Sequence, residues 1–500
     1  MSTAAEATGA HTGASTEPDP RRWVVLCVIA ISQLMVVLDA TIVNIALPQA
    51  KQDLGISTAN QQWVVTAYTL AFGGLLLLGG RIADFWGRKR TFLVGAVGFA
   101  VASAIGGLAT NGLMLFGARA LQGVFGALLA PAALALLTVL FTEGKERAKA
   151  FAVYGAIAGG GSAVGLLLGG VLTEYADWRW CLLVNIPIAG LALALAIPLV
   201  PESRAHGDTK YDVPGAVVVT LGLTSLVYGF TEAASDGWDA LSTIAFIGAG
   251  VVLLAIFVVI EARTKNPLLP LRVVLDRNRG GAYLTSMLVG AGLFGAFLFL
   301  TLYLQFVLGY TPLEAGFASL PVTVGVLIAA VMASNLMPRL GAKPLMVAGS
   351  VLAAAGMFML RFIELDTGFW THLMPAQILL GLGLGFTFVP LSSLALVGVP
   401  DHDAGAASAA LNATQQVGGS LGTALLNTIS TSAITAYLAS RVVPGQPPAA
   451  QEQLAAQIEG YSSAFTWAAG LILFAGVITA VLVKVQKEDL PTDRAAAHVG

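Results

Sequence analysis

The chain has 500 residues, 56% of them hydrophobic and 11% charged, with a formal net charge of −2. That balance excludes an ordinary soluble globular protein, and the near-neutral charge gives no reason to expect a nucleic-acid partner. Apolar runs of about 20 residues, the length a helix needs to cross a hydrocarbon core, recur along nearly the whole chain, which reads as an all-α integral membrane protein set in a lipid bilayer. The alternation of a barrel strand is missing, whereas a spanning helix satisfies its own backbone.

In chain order, residues 1–20, rich in Ala, Ser, Thr and Gly, read as a disordered cytoplasmic tail. The first span, 23–46, is too long for a signal-peptide core and no A-x-A-like site follows it. Further spans are expected at 62–82, 91–109, 113–140, 148–173, 180–200, 213–231, 241–260, 282–308, 314–336, 344–362, 372–398, 408–438 and 463–484, which makes fourteen. They divide into an N-terminal six-helix bundle (21–200), a linker with two extra transmembrane helices (201–280) and a C-terminal six-helix bundle (281–484), followed by a cytoplasmic tail (485–500).

Basic residues flanking spans are retained on the cytoplasmic side. With the N-terminus inside, 21 of the 26 Lys and Arg residues fall on that side. Lys51, Arg179, Arg361 and Arg441 fall outside, and Arg119 lies within a span. An odd number of spans would break this alternation, so the bias predicts both termini in the cytoplasm. The loop "PDHDAG" at 400–405 is the one cytoplasmic loop without Lys or Arg. Cys27 and Cys181 are placed near opposite faces, too far apart for a disulfide.

A faint internal repeat links the two bundles. "GALLAPAALALL" (126–137) matches "GFTFVPLSSLAL" (385–396), and "MPRLGAK" (337–343) echoes the charged loop, with Gly341 and Lys343 standing where the first bundle has Gly87 and Lys89. Paired six-helix halves around a midplane site are a common transporter plan.

Asp39 and Arg119 are the clear ionisable residues inside spans. Each costs roughly 2.5 to 3.5 kcal/mol at a helix centre, so an unpaired one would be a burden. Counting residues from the span ends places both roughly 10 Å below the outer face, where they can pair. The pair either locks two helices or forms a proton site, in which a carboxylate beside a movable Arg takes up and releases H⁺. In the thirteenth span Asn412, Gln416, Ser420, Thr423 and Asn427 recur at helical spacing on one face, as helix glue or as the lining of a substrate path. The strings "GAIAGGGSAVGLLLGG" (155–170) and "GLGLGF" (381–386) lie inside apolar runs and read as small-residue packing faces, not nucleotide loops. No Gly-x4-Gly-Lys-Ser/Thr loop occurs, and the five His are scattered, so neither P-loop chemistry nor a metal site is indicated.

"GRIADFWGRKR" (80–90) resembles the signature loop between the second and third helices of the major facilitator superfamily, with Gly80, Asp84, Gly87, Arg88 and Lys89 in the expected places. "LFGARALQGVFGA" (115–127) resembles its fourth-helix motif, where Arg119, Gln122 and Gly123 match. "LDATIVNIALP" (38–48), "WRWCLLVNIPIAG" (178–190) and "AALNATQQVGGSLGTALL" resemble segments of the fourteen-span drug:proton antiporters. The fifth-helix antiporter motif keeps Gly161, Gly165, Gly169 and Gly170 but has Leu166 where the family usually carries proline, so the residue that would impose a kink there is missing.

The resemblance implies an exporter of amphipathic small molecules, cationic or aromatic ones such as drugs or antibiotics, driven by the proton gradient with no cofactor. Gly80, Asp84, Gly87, Arg88 and Lys89 would be a conformational latch, Asp39 and Arg119 the proton-coupling pair, and Gln122 part of the substrate path. The rival readings are a proton-coupled importer and a non-transporting membrane sensor. An enzyme lacks a nucleophile, metal or redox constellation. Substrate identity and oligomeric state have no signal in the sequence.

Overall fold

The computed structural model describes residues 21–141, 144–204, 212–265, 267–268, 271–395, 404–441 and 449–484. Both tails and most of the 400–405 loop lie outside the described residues.

The chain folds as long helices joined by short turns. The first six are α1 (Arg22–Asp53), α2 (Trp63–Trp86), α3 (Arg88–Gly107), α4 (Gly112–Leu140), α5 (Gly144–Tyr175) and α6 (Trp180–Leu199). Next come α7 (Val213–Asp236) and α8 (Leu241–Arg263). The chain continues with α9 (Arg277–Val307), α10 (Pro312–Leu340), α11 (Ala342–Phe362), α12 (Phe369–Leu394), α13 (Ala404–Arg441) and α14 (Ala450–Leu482). Local chemistry sets several starts. Asn111 Oδ1 accepts the Met114 N–H at 2.9 Å to cap α4, and Asp212 does the same for Gly215 in α7. Thr311 and Glu314 close a reciprocal capping box on α10.

Among the described residues, twelve helices are long and apolar enough to cross a membrane. That is two fewer than the fourteen expected. The missing pair are α5, of which only Ala163–Tyr175 counts as an apolar segment, and α13, whose expected span carries the polar face.

The repeat read from sequence reappears in the packing. In the first set of six, α1 packs on α5 and α6, α4 on α2 and α3, and α3 on α6. In the last six, α9 packs on α13 and α14, α12 on α10 and α11, and α11 on α14, which is the same pattern shifted by eight helices. Gly87 and Gly341, matched in the sequence repeat, both turn the chain at positive φ, +124° and +83°. The two sets meet along α2–α13 and α5–α10, contacts that the repeat also exchanges.

Helices that alternate in direction give the molecule a basic end, carrying Arg22, Arg88, Arg277 and Lys343, and a far end, carrying Asp53, Arg179 and Gly309. Towards the far end one apolar core runs through both sets, with Ile42, Ile45, Val65 and Leu166 joined to Phe299, Tyr303, Leu304 and Ala315. Towards the basic end the cores separate. Phe92, Ala96, Ala132 and Leu136 belong to one, in which Ala413 alone comes from the last six helices; Met346, Leu391 and Leu394 belong to another. The two sets therefore share one core at the far end and keep separate cores towards the basic end.

Helices α7 and α8 pair with each other at the periphery. α7 lies against both α2 and α13, through Leu223 and Val227 packed with Leu70 and Ala424. α8 presents much of its surface outward, showing Ile244, Val251, Val252 and Val258.

Candidate functional site

Asp39 is completely buried, and its carboxylate is held by groups from two other helices. Arg119 Nη1 of α4 lies 2.5 Å from Asp39 Oδ2. Gln122 Nε2, one turn on, donates to Oδ1 at 2.8 Å, and Asn185 Nδ2 of α6 donates to the same oxygen at 2.8 Å. The remaining neighbours fix these groups. Arg119 Nη1 also donates to Gln122 Oε1 at 2.7 Å, and its Nε to the Val64 carbonyl at 2.9 Å. The guanidinium sits over the Tyr68 ring at 4.5 Å from its centroid, and Gln122 Nε2 reaches Ser103 Oγ at 2.7 Å. Five helices of the first set thus converge on one ion pair. Burying both charges is tolerable because they are paired and hydrogen-bonded; removing either partner alone costs about 3–5 kcal/mol.

Helix periodicity aims Asp39 here. The face of α1 carrying Leu34, Val37, Thr41 and Ile42 is taken by the glycines of α5. A Cβ on Gly161 would lie 3.1 Å from Val37, one on Gly165 would collide with Thr41 Oγ1, and one on Gly169 would lie 2.9 Å from Ile42. Gly170 instead meets the last six helices, where a Cβ would be 2.7 Å from the Leu313 Cα. Leu166 is buried and its carbonyl faces Gly316 of α10, within a helix that runs unbroken from Gly144 to Tyr175. We expect Gly165→Ala to lower thermal stability by about 1–3 kcal/mol, the range for overpacking. Thr41→Ala should restore part of the loss in a melting assay of the purified double variant.

The charged loop is organised around Gly87, whose φ of +124° L side chains rarely adopt and whose Cβ would lie 2.6 Å from Glu202 Oε1. Arg88 reaches back one turn to Asp84 at 2.9 Å, and its N–H donates to the Ser203 carbonyl at 3.0 Å. Lys89 Nζ donates to the Ile197 carbonyl at 2.7 Å, while Gly80 stands in ordinary contact range of Pro131. Among the described residues the partners of Asp84, Arg88 and Lys89 all belong to the first set of helices or the segment just after it. In this conformation the loop ties α2 and α3 to the end of α6.

The polar face of α13 divides in two. Ser420 Oγ lies 2.6 Å from Thr69 Oγ1 of α2. Asn427 Nδ2 donates to Gln62 Oε1 at 3.0 Å and to the Thr58 and Ala59 carbonyls, and its Oδ1 accepts from Gln61 Nε2 at 2.9 Å. Thr423 is buried on the same stretch. Ser420 and Asn427 thus join the two halves through hydrogen bonds in this conformation, while the Thr423 hydroxyl is buried without a partner. Gln122, also expected on the path, belongs to the Asp39 network. Towards the basic end Gln416 is half-buried and its Oε1 has no partner, and Asn412 is exposed.

Sequence reasoning passed over Tyr68, Ser103, Asn185, Gln61 and Gln62. Asn185 carried a signal, as a lone amide in the apolar run after "WRWC". So did the Gln61–Gln62 pair at the start of a span. Tyr68 and Ser103 look like any aromatic or small residue of a buried helix.

Comparison with known proteins gives a match to the family model of the Major Facilitator Superfamily over residues 29–423. The puromycin resistance protein pur8 of Streptomyces alboniger is 52% identical over 475 residues, covering 94% of this chain and 93% of that protein. The cephamycin export protein CmcT of Amycolatopsis lactamdurans is 38% identical, covering 92% of each. The tetracenomycin C resistance and export protein of Streptomyces glaucescens is 34% identical, covering 90% of this chain and 83% of that one. Among solved structures, a bacterial homologue of the human lysosomal transporter Spinster superposes with a TM-score of 0.66 at 15% identity, covering 95% of this chain and 100% of that chain, a likeness of fold.

Proposed function

The chain belongs to the major facilitator superfamily, as a multi-pass membrane transporter and not an enzyme, and from that premise we propose that it exports antibiotic-like small molecules across the bacterial cytoplasmic membrane in exchange for protons. Support for the substrate class comes from relatives named for resistance to or export of puromycin, cephamycin and tetracenomycin C. Support for the proton comes from one observation: a fully buried carboxylate, Asp39, paired with Arg119 inside a helix bundle.

In this reading α5 and α13 also cross the bilayer, giving fourteen spans. Each is longer than a crossing needs, at 32 and 38 residues, and each packs within its six-helix half. The basic end faces the cytoplasm by the positive-inside bias, so the core shared at the far end makes this the inward-facing state. Substrate enters from the cytoplasm or inner leaflet between the two halves. Opening at the far end then requires the Asn427 and Ser420 junction to part, and Asp39 takes a proton from that side while Arg119 is released. Return to the inward state delivers the proton as new substrate binds. The loop at Asp84, Gly87, Arg88 and Lys89 would bias the equilibrium by gaining partners when the basic ends close.

The test uses inverted membrane vesicles holding an acid interior, to which a panel of antibiotics and cationic dyes is added. Proton efflux on addition of a compound, present with this protein and absent from empty vesicles, is the expected result. A compound that accumulates without proton movement would overturn antiport.

A further inference from the structure

We propose that Asn185 is a positioning residue that serves both protonation states of Asp39, turning its side-chain amide as the proton arrives. This rests on the reading of Asp39 as the proton carrier. The argument begins with acceptors. An ionised Asp39 takes hydrogen bonds from Arg119, Gln122 and Asn185, and all three donors suit a carboxylate. A protonated Asp39 carries an O–H that must itself donate in a site without exposure to water.

Nearly every acceptor around it is committed. Gln122 Oε1 accepts from Arg119, the Val64 carbonyl accepts from Arg119 Nε, and Ser103 Oγ accepts from Gln122. The Asn185 carbonyl is different, since its Oδ1 is buried with no hydrogen-bond partner. It belongs to the same amide whose Nδ2 already touches Asp39 at 2.8 Å. A half-turn about the last side-chain torsion exchanges the two atoms, so that Oδ1 accepts the new O–H. Asn185 is then matched to the carboxylate in one orientation and to the carboxylic acid in the other, with one idle atom each time. The titratable and charged groups that face Asp39 among the described residues are Arg119 from α4, Tyr68 from α2 and Cys181 from α6. Neither Tyr68 nor Cys181 is placed within hydrogen-bond distance of it.

The experiment follows the infrared band of a protonated carboxyl in purified protein as pH is varied, in wild type, Asp39→Asn, Asn185→Thr and Asn185→Val. Thr keeps a group that both donates and accepts, whereas Val has its shape and does neither. Asp39→Asn should remove the titrating band. In Asn185→Val the ionised form loses the stronger hydrogen bond, because bonds to a charged group are about twice those to a neutral one. The midpoint should therefore rise by about half to one pH unit. The carboxyl band itself should move to higher frequency, as its O–H loses an acceptor, and Asn185→Thr should resemble wild type in both respects. Asn185→Leu gives the same comparison should the Val variant not fold. A band that vanishes in Asp39→Asn but keeps its midpoint and frequency in Asn185→Val and Asn185→Leu overturns the role of Asn185 and leaves Asp39 as carrier. Absence of any titrating band assignable to Asp39 overturns both.

Discussion

Asp39→Asn stops gradient-driven export and leaves folded protein in the membrane. The amide keeps the size of the carboxylate and an oxygen that Arg119 Nη1 can still reach from the present 2.5 Å. It cannot gain and lose a proton, so the proposed coupling step is gone; the buried guanidinium loses its counter-charge but keeps a hydrogen-bond acceptor, so the cost in stability is smaller than for a truncation. In the acid-interior vesicles, compounds that discharge the gradient through wild-type protein should produce no proton efflux through the variant. Substrate binding measured without a gradient should persist. Asp39→Ala is the contrasting case. It leaves a buried guanidinium without its partner, a loss of about 3–5 kcal/mol, and the folded yield should fall with it. Wild-type export by Asp39→Asn would remove the carboxylate from the mechanism.

Thr69→Cys combined with Ser420→Cys locks the transporter when oxidised. The two hydroxyl oxygens lie 2.6 Å apart, close to the roughly 2.05 Å of a disulfide, and they join α2 of one half to α13 of the other. The test is made on a Cys27→Ser background, because Cys27 is exposed while Cys181 is buried. Oxidation should abolish transport completely, and a reducing agent should restore it, since the far end must part in every cycle of alternating access. A cross-linked protein that transports at the uncross-linked rate would rule out separation at this junction.

The two predictions draw on features that were unequally legible in the sequence. The ion pair was readable because a charge inside an apolar span has few explanations, and counting residues from two span ends brought Asp39 and Arg119 to one depth. The repeat was readable from Gly87 and Gly341, since a backbone turn at positive φ restricts the residue that can occupy it. Helix rotation was not readable. Spacing placed Ser420 and Asn427 on one face of α13 but carried nothing about what that face meets, and the answer, α2 and the segment just before it, depends on the docking of two halves whose residues are over 350 positions apart. The same holds for Ser103 and Tyr68, which join the Asp39 site only through Gln122 and Arg119.

Helix α7 is hydrogen-bonded to both halves at once. Thr231 accepts from Gln62, which immediately precedes α2, at 2.9 Å, and the Phe230 carbonyl accepts from Thr428 of α13 at 2.6 Å. Along the rest of its length it packs against both of those helices, with α8 paired beside it and Val217 and Leu221 of α7 themselves exposed. Among the described residues nothing comparable stands over the α5–α10 groove. The molecule is thus handed as seen by a solute dissolved in the leaflet. One flank carries an extra helix pair and, among the described residues, the other does not, so an apolar solute in the membrane meets a wall on the first side and a seam on the second.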